Sequence, residues 1–280
     1  MTSRAGLSAL VVTLLLVGLG WVPATRAAFT DRASVDSGTV TSGSMTTPAT
    51  PTVAQRSGTG LTRVSWAASR VGTLGGVPTA YEVYRYAGAT GGTPVLTCSV
   101  TVADGAALAC DDPSRVGGTV HYAVRATFGD HWRAESSRRT FAADRTGPVV
   151  AVGEPPDGFR GGANALRREV SRGCGSDVPA CGTATDAAGV SSVVWALTVV
   201  GTGPRATTRC WNGTRFTDQP ASGSCPQAAA TTSTTRDGLR WTVPGSVEDV
   251  YRDRGEYTLT VVATDAFANV TTTTVSVTAT

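Results

Sequence analysis

Alternation of apolar and polar residues at a period of two is the feature that most constrains the fold. In residues 255–265 the apolar set is Tyr257, Leu259, Val261 and Ala263. Successive side chains of a β-strand point to opposite faces, so this spacing predicts a strand with one buried face. No window of the sequence sustains apolar residues at helical spacing. The chain is therefore predicted to be all-β, with short antiparallel strands joined by turns.

The charge and the basic residues exclude several classes of function. The formal net charge of the 280 residues is +3, and Arg4 and Arg26 contribute to it from a segment that we predict to be removed. Their removal leaves a side-chain charge of +1, and nucleic-acid binding has no electrostatic support at that value. All 24 basic residues are arginine, which excludes a phosphate-loop lysine, a lysine Schiff base and a lysine isopeptide crosslink.

The first residues have the pattern of an export signal. An apolar run over residues 7–20 follows Arg4, and small residues continue to Ala28. About 14 apolar residues fall short of the ~20 that a bilayer core requires. Residues 1–28 are therefore predicted to be a cleavable N-terminal signal peptide, and residues 29–48 an exposed linker.

Two short stretches follow the apolar run, AFTD at residues 28–31 and TVTSG at residues 39–43. They resemble the SipW-type signal peptides of secreted bacterial fibre and surface proteins. The resemblance implies a secreted or cell-surface protein that meets the membrane only transiently, during export. An ordinary signal peptide with a chance match is the alternative, and it implies export as well.

Six cysteines in an exported chain predict disulfides. Loop closure favours pairing between neighbours, so we pair them in sequence order: Cys98 with Cys110, Cys174 with Cys181, and Cys210 with Cys225. A zinc site is the alternative, but the sequence contains no CxxC and only 2 histidines, which is a poor ligand set. The cysteines therefore predict disulfides rather than a metal site, and no cofactor is predicted.

Three segments of the first half carry a family resemblance: LTRVSW at 61–66, AYEVYRY at 80–86 and GGTVHYAVRA at 117–126. They resemble the B, C and F strands of fibronectin type III modules, with Trp66 as the core tryptophan and Tyr122 as the tyrosine-corner residue. The resemblance covers residues 49–143 and implies an antiparallel β-sandwich. The Cys98/Cys110 pair departs from the common pattern of that family. An Arg-Gly-Asp loop is absent, so no integrin binding is implied.

Three further segments lie in the second half: GTATDAAGV at 182–190, WNGTRF at 211–216 and YTLTVVATDAFAN at 257–269. They resemble the bacterial immunoglobulin-like modules of secreted actinobacterial proteins, which implies a second, tandem immunoglobulin-like β-sandwich over residues 144–280. The match is poor over residues 158–176 and 220–237, which we predict to be long loops. Gly147-Pro148 interrupts the strand pattern, so we expect a hinge at residues 144–148 that few contacts cross.

Asp186, Asp265 and Asn269 are candidate calcium ligands between the two modules, because Ca²⁺ takes several carboxylate and carbonyl oxygens. The same residue types close tight turns by bonding to their own backbone. We prefer the turn interpretation, so no metal is predicted.

Aromatic residues could form a platform for sugar rings or another protein; the candidates are Trp132, Trp195, Trp211, Trp241 and Phe216. Trp211 is selected as the candidate ligand-binding residue, because it lies in an Asn-Gly turn region where a tryptophan has little reason to be buried. The alternative is that these residues are core residues of small sandwiches.

Other polar residues suggest weaker candidates. His121 could act as a base, but strand alternation places it outside the inward-facing set and no GxSxG accompanies it, so we predict an exposed histidine. Arg160, Arg167 and Arg168 could bind an acidic cell-wall polymer, or they could simply keep the surface soluble.

The sequence therefore predicts a non-catalytic exported surface or extracellular protein with a structural or binding role. An accessory carbohydrate-associated module of a polysaccharide-degrading system is the first alternative, and a subunit of a surface fibre is the second. The expected partner is an extracellular protein or a cell-wall glycan, and not a nucleic acid.

Overall fold

The computed structural model describes residues 45–70, 76–102, 108–129, 132–202, 206–236 and 238–280. The predicted signal peptide and most of the predicted linker lie outside these residues. Within the described part of the chain, no helix is long and apolar enough to cross a membrane.

Eight strands form the first sandwich, and all their pairings are antiparallel. One sheet has the order β1-β2-β5, and the other has the order β4-β3-β6-β7 with β8 also paired to β6. The strands are β1 (Thr52–Gln55), β2 (Thr62–Ser65), β3 (Ala80–Tyr86), β4 (Val95–Thr101), β5 (Ala109–Asp112), β6 (Thr119–Phe128), β7 (Trp132–Glu135) and β8 (Arg139–Ala142).

The second sandwich contains eleven strands and two helices. One sheet has the order β16-β17-β11-β9, and the other has the order β10-β19-β18-β12-β13-β14 with β15 paired to β12. Among the described strands, only the short β10–β19 pairing is parallel. The elements are β9 (Val149–Glu154), β10 (Arg160–Gly161), α1 (Ala163–Cys174), β11 (Ala180–Thr185), β12 (Val190–Gly201), β13 (Thr208–Trp211), β14 (Phe216–Asp218), β15 (Ala228–Ala229), β16 (Thr231–Thr235), β17 (Gly238–Val243), α2 (Val247–Val250), β18 (Gly255–Asp265) and β19 (Val270–Ala279).

Each sandwich has its own apolar core, as the alternation predicts. In the first, Val64, Trp66, Tyr81, Val83, Tyr122, Val124 and Ala126 form one buried cluster. In the second, Tyr257, Leu259, Val261 and Ala263 are at most 1% exposed and pack with Trp195 and Trp241. The predicted fold class, two tandem antiparallel immunoglobulin-like β-sandwiches, is confirmed.

The prediction of a long loop over residues 158–176 is wrong, because this segment contains helix α1. The run from Ala163 to Glu169 consists mostly of strong helix formers, and only Leu166 and Val170, one turn apart, are buried. Two apolar residues are too few to show a helical period in the sequence. Gly175, at φ 105°, ends the helix in a conformation that suits glycine.

The second predicted loop, over residues 220–237, contains the short strands β15 and β16. Thr231–Thr235 is exposed along its whole length, so it lacks the alternation by which a strand is recognised. The structure pairs the six cysteines in sequence order. Cys174–Cys181 connects α1 to β11, and Cys210–Cys225 fastens the segment before β15 to β13.

Helix α1 covers a carboxyl group at the end of β9. A Cβ built at Gly173 would lie closer to the Glu154 side chain than a real Cβ lies to a non-bonded heavy atom. The absence of a side chain at Gly173 therefore permits this packing. Glu154 Oε2 is buried and has no hydrogen-bond partner among the described residues. Burial raises the pKa of Glu154, the nearby Glu169 raises it further, and Arg172 opposes the shift.

Replacing Glu154 with glutamine should stabilise the protein near neutral pH, by up to about 1 kcal/mol. A pKa raised in the folded state means that the wild-type protein loses stability as the pH rises through that pKa. The gain of Glu154→Gln should therefore be largest near pH 7 and smaller near pH 4, as measured by urea unfolding. Glu256→Gln, at an exposed position of β18, is the control. Equal gains at both pH values would contradict the expectation.

Candidate functional site at the junction of the two sandwiches

The loop between β18 and β19, residues 265–269, is built around a buried aspartate. Asp265 is 1% exposed, and its Oδ1 accepts hydrogen bonds from the amides of Phe267 (2.8 Å) and Asn269 (2.7 Å). The side-chain nitrogen of Asn269, Nδ2, donates to Asp265 Oδ2 at 2.8 Å. These bonds hold Ala268 at φ 61°, which is uncommon for a non-glycine residue. We call residues 265–269 the junction loop.

The junction loop contacts the first sandwich through backbone carbonyls. The amide of Gly58 donates to the Ala266 carbonyl at 2.8 Å. Arg115 Nη2 donates to the carbonyls of Phe267 at 2.8 Å and Ala268 at 3.2 Å. A guanidinium carries several donors in a fixed plane, so one side chain engages two carbonyls of the loop.

Residues 144–148, the segment that connects the two sandwiches, are also hydrogen-bonded to the first sandwich. Gln55 Nε2 donates to the Asp144 carbonyl at 3.0 Å, and the Asp144 amide donates to Gln55 Oε1 at 2.8 Å. Arg145 donates to the carbonyls of Val116 and Gly60. Residues 144–148 therefore lie in a hydrogen-bonded junction, and the expected hinge at these residues stays a prediction. The domain boundaries themselves stay a prediction.

Three carboxylates converge at this junction. Oxygens of Asp144, Asp186 and Asp265 all lie within 4.8 Å of one another. Among the described residues, no salt bridge involves any of the three. An open cleft of about 370 Å³ borders Asp144 and Asp186.

The turn interpretation of the acidic residues is directly visible. Asp186 Oδ1 accepts from the amide of Ala188 at 2.7 Å, and Asp144 Oδ1 accepts from the amide of Thr146 at 3.0 Å. Each carboxylate retains lone pairs, and oxygens of this kind are the ligands that Ca²⁺ takes in proteins. Sequence reasoning missed Asp144, although its Asp-x-Thr turn signal was readable.

Neutralising one carboxylate should stabilise the protein in metal-free buffer. Asp186→Asn keeps an oxygen for the Ala188 amide and removes one of three like charges, which should be worth roughly 1 kcal/mol or a few degrees in Tm. Calorimetry in EDTA measures it, and a lower Tm of the variant would contradict the expectation. In calcium chloride, a rise in the wild-type Tm that Asp186→Asn lacks would mean that the cluster binds the cation.

The structure places Trp211 inside the second sandwich rather than at its surface. Its side chain is 3% exposed, its ring centroid lies 5.1 Å from that of Phe216, and Nε1 donates to the Pro244 carbonyl at 3.3 Å. Gly245, at φ 125°, brings the backbone against the indole, where a Cβ would lie 2.8 Å from the ring. This burial removes the reason for choosing Trp211 as a ligand platform.

The prediction that His121 is exposed is wrong, whereas the core interpretation of Trp195 and Trp241 is confirmed. His121 is only 8% exposed rather than solvated, because β3 and β8 flank it and Thr140 Oγ1 lies 3.0 Å from its Nδ1. Trp195 and Trp241 are buried in the core. Trp132, at 38% exposure, is the candidate that remains at the surface.

Comparisons with known proteins give only distant similarities. No family model matches the chain, and no curated protein matches it. A tetra-tandem repeat in the extending region of a large adhesion protein shares 18% identity at a TM-score of 0.28, over 85% of this chain and 50% of that one. A structure of a 1.5-MDa bacterial ice-binding adhesin shares 15% identity at a TM-score of 0.34, over 78% and 58%.

The chicken interferon gamma receptor alpha chain shares 10% identity at a TM-score of 0.26, over 84% of this chain and 98% of that one. The chain spans between 50% and 58% of the length of the two adhesin structures. At these identities and TM-scores, none of the three carries an inference about what this chain does.

Proposed function

We propose that this chain is an exported, non-catalytic structural and binding protein in which two sandwiches act as one stiff unit. The observation that carries the proposal is the junction, where Gly58 and Arg115 hold the junction loop and Gln55 holds the connecting segment. Each of these hydrogen bonds would have to break or rearrange for the sandwiches to move relative to one another. A stiff tandem unit is suited to holding a binding surface away from a cell or to joining other extracellular components.

Export is supported by the leader pattern and by three disulfides, which persist in oxidising compartments. The sequence resemblances to fibronectin type III and to bacterial immunoglobulin-like modules support the proposal of a secreted modular protein. The proposed partner is an extracellular protein or a cell-wall glycan. The fibre-subunit alternative rests on the leader resemblance alone.

Two measurements test the proposal. Intact-mass analysis of protein recovered from the medium and the cell surface should show cleavage between Ala24 and Phe29 and no free thiol. Residual dipolar couplings of the secreted protein should fit a single alignment frame for both sandwiches. Retention of Met1 in a membrane fraction, or two unrelated alignment frames, would overturn the corresponding part of the proposal.

A carbohydrate-associated role is the second candidate function, and one observation favours it. A polar cleft of about 450 Å³ opens between α1 and α2, a volume within the range of small-molecule sites.

A further inference from the structure

The cleft between the two helices has one wall made by a single helical face. Asn164, Arg167, Arg168 and Ser171 follow one another at helical spacing on α1, and Ser176 and Asp177 continue the lining from the segment after the helix. The start of α2 forms the opposite wall, and the amide of Val247 donates to the Ser176 carbonyl at 3.0 Å. The two walls are therefore fixed to each other by the backbone.

Part of this lining is already engaged within the protein. Arg167 lies 3.4 Å from Glu248 and donates to the Asn164 side-chain oxygen at 2.5 Å. In contrast, the side chains of Arg168, Ser171, Ser176 and Asp177 form no hydrogen bond or ion pair with another described residue. These four groups remain available to a ligand at the cleft.

The charges of the lining are balanced. Two guanidinium groups, Arg167 and Arg168, are accompanied by the carboxylates of Asp177 and Glu248. A polyanion would be attracted by the two guanidinium groups and repelled by the two carboxylates, so the two effects would offset each other. The earlier expectation that Arg167 and Arg168 bind an acidic cell-wall polymer is therefore not favoured by the charges around them.

We propose that the cleft binds a neutral saccharide, with Arg168, Ser171, Ser176 and Asp177 as its hydrogen-bonding groups. A sugar hydroxyl both donates and accepts, and this set provides donors in Arg168, an acceptor in Asp177 and both functions in the two serines. Planar guanidinium and carboxylate groups can each bond two neighbouring hydroxyls, as they do with other bidentate partners. The inference rests on the proposed binding function and identifies its ligand class and site.

A competing sugar site exists in the first sandwich. Trp132 and Phe128 form a cross-strand pair and are each 38% exposed, so they present apolar faces to solvent. Aromatic faces attract apolar ring surfaces, so a sugar could bind at this pair instead of at the cleft. The experiment separates the two locations.

The test is a titration of the ¹⁵N-labelled secreted protein with neutral chito-, cello- and xylo-oligosaccharides, up to about 10 mM because single-site sugar binding is weak. At least one series should shift the amide signals of Ser171, Ser176 and Asp177 and the Nε–H signal of Arg168. Arg168→Ala should weaken binding about tenfold or more, because a hydrogen bond to a charged group is lost. Arg139→Ala, an exposed arginine of β8, is the matched control and should bind normally.

Ser171→Phe, which fills the cleft from the helix face that lines it, should abolish the shifts while the other amide signals stay in place. The proposal is overturned if no series shifts these signals, if the shifts gather at Trp132 and Phe128, or if only a polyglutamate probe binds. Equal affinities of Arg168→Ala and Arg139→Ala would overturn it as well. None of these outcomes changes the alignment or export measurements, so the proposed function can fail or stand independently.

Discussion

Replacing Asp112 with alanine should cost about 3–5 kcal/mol of folding free energy, because it leaves a charge and a hydroxyl without their partner in the first core. Asp112 is 1% exposed, and its Oδ2 lies 2.5 Å from Arg85 Nη1 and 2.8 Å from the Tyr122 hydroxyl. Burial raises the pKa of Tyr122 to about 12, and its bond to Asp112 contributes, so the phenol stays protonated and donates. Urea unfolding measures the loss.

The adjacent aspartate is the matched control. Asp111 is 26% exposed and pairs with Arg56 and Arg63 at the surface, so Asp111→Ala should cost no more than about 1 kcal/mol. Tyr122→Phe should fall between the two, since it removes one hydrogen bond and leaves the Arg85–Asp112 pair. A loss at Asp112 no larger than at Asp111 would mean that the buried pair contributes no net stability.

Strand positions were predictable because the alternation is a local property. The inward faces of residues 64–66, 81–83, 122–126 and 257–263 could be read from the sequence, and all are buried. Helix α1 was missed because its buried face consists of only two apolar residues, Leu166 and Val170, which are too few to show a helical period in the sequence. A propensity sum over residues 163–169 was the available signal.

Burial at the sites was harder to predict, because alternation does not reveal what covers a face. His121 points away from the first core, yet its flanking strands enclose it. Trp211 precedes an Asn-Gly turn, yet Gly245, more than thirty residues later, closes over it. In both cases the covering residues are distant in sequence, so the local sequence does not predict the burial.

The hydrogen bonds of the junction could not be predicted from the sequence for the same reason. Gly147-Pro148 is a break in the strand pattern, and a break resembles a hinge when only sequence is considered. The bonds that close it come from Gly58, Arg115 and the junction loop, which lie far apart along the chain. The Asx turns at Asp186 and Asp265 were readable individually, but their convergence with Asp144 depends on how β9, β11 and β18 are arranged.

A methyl group at Gly60 should therefore separate the two sandwiches. Gly60 has φ 64°, and a Cβ there would overlap the Phe267 carbonyl and the Arg115 guanidinium, two of the groups that join the first sandwich to the junction loop. Left-handed backbone costs alanine about 1–2 kcal/mol, and the steric overlap should add about 1–3 kcal/mol. Calorimetry of Gly60→Ala should show two separate transitions, and the alignment frames of the sandwiches should diverge.

Gly58→Ala is the control that separates the cost of steric overlap from the cost of left-handed backbone. Gly58 has φ 78°, and nothing lies within 4 Å of a Cβ built there, while its amide can still donate to Ala266. The variant should lose only the folding free energy that a left-handed backbone costs alanine. It should keep a single alignment frame, because it carries the same backbone strain without the steric overlap. If Gly60→Ala also keeps one frame and melts like Gly58→Ala, the contacts of Arg115 and Phe267 do not couple the sandwiches, and the stiff unit that underlies the proposed function is lost.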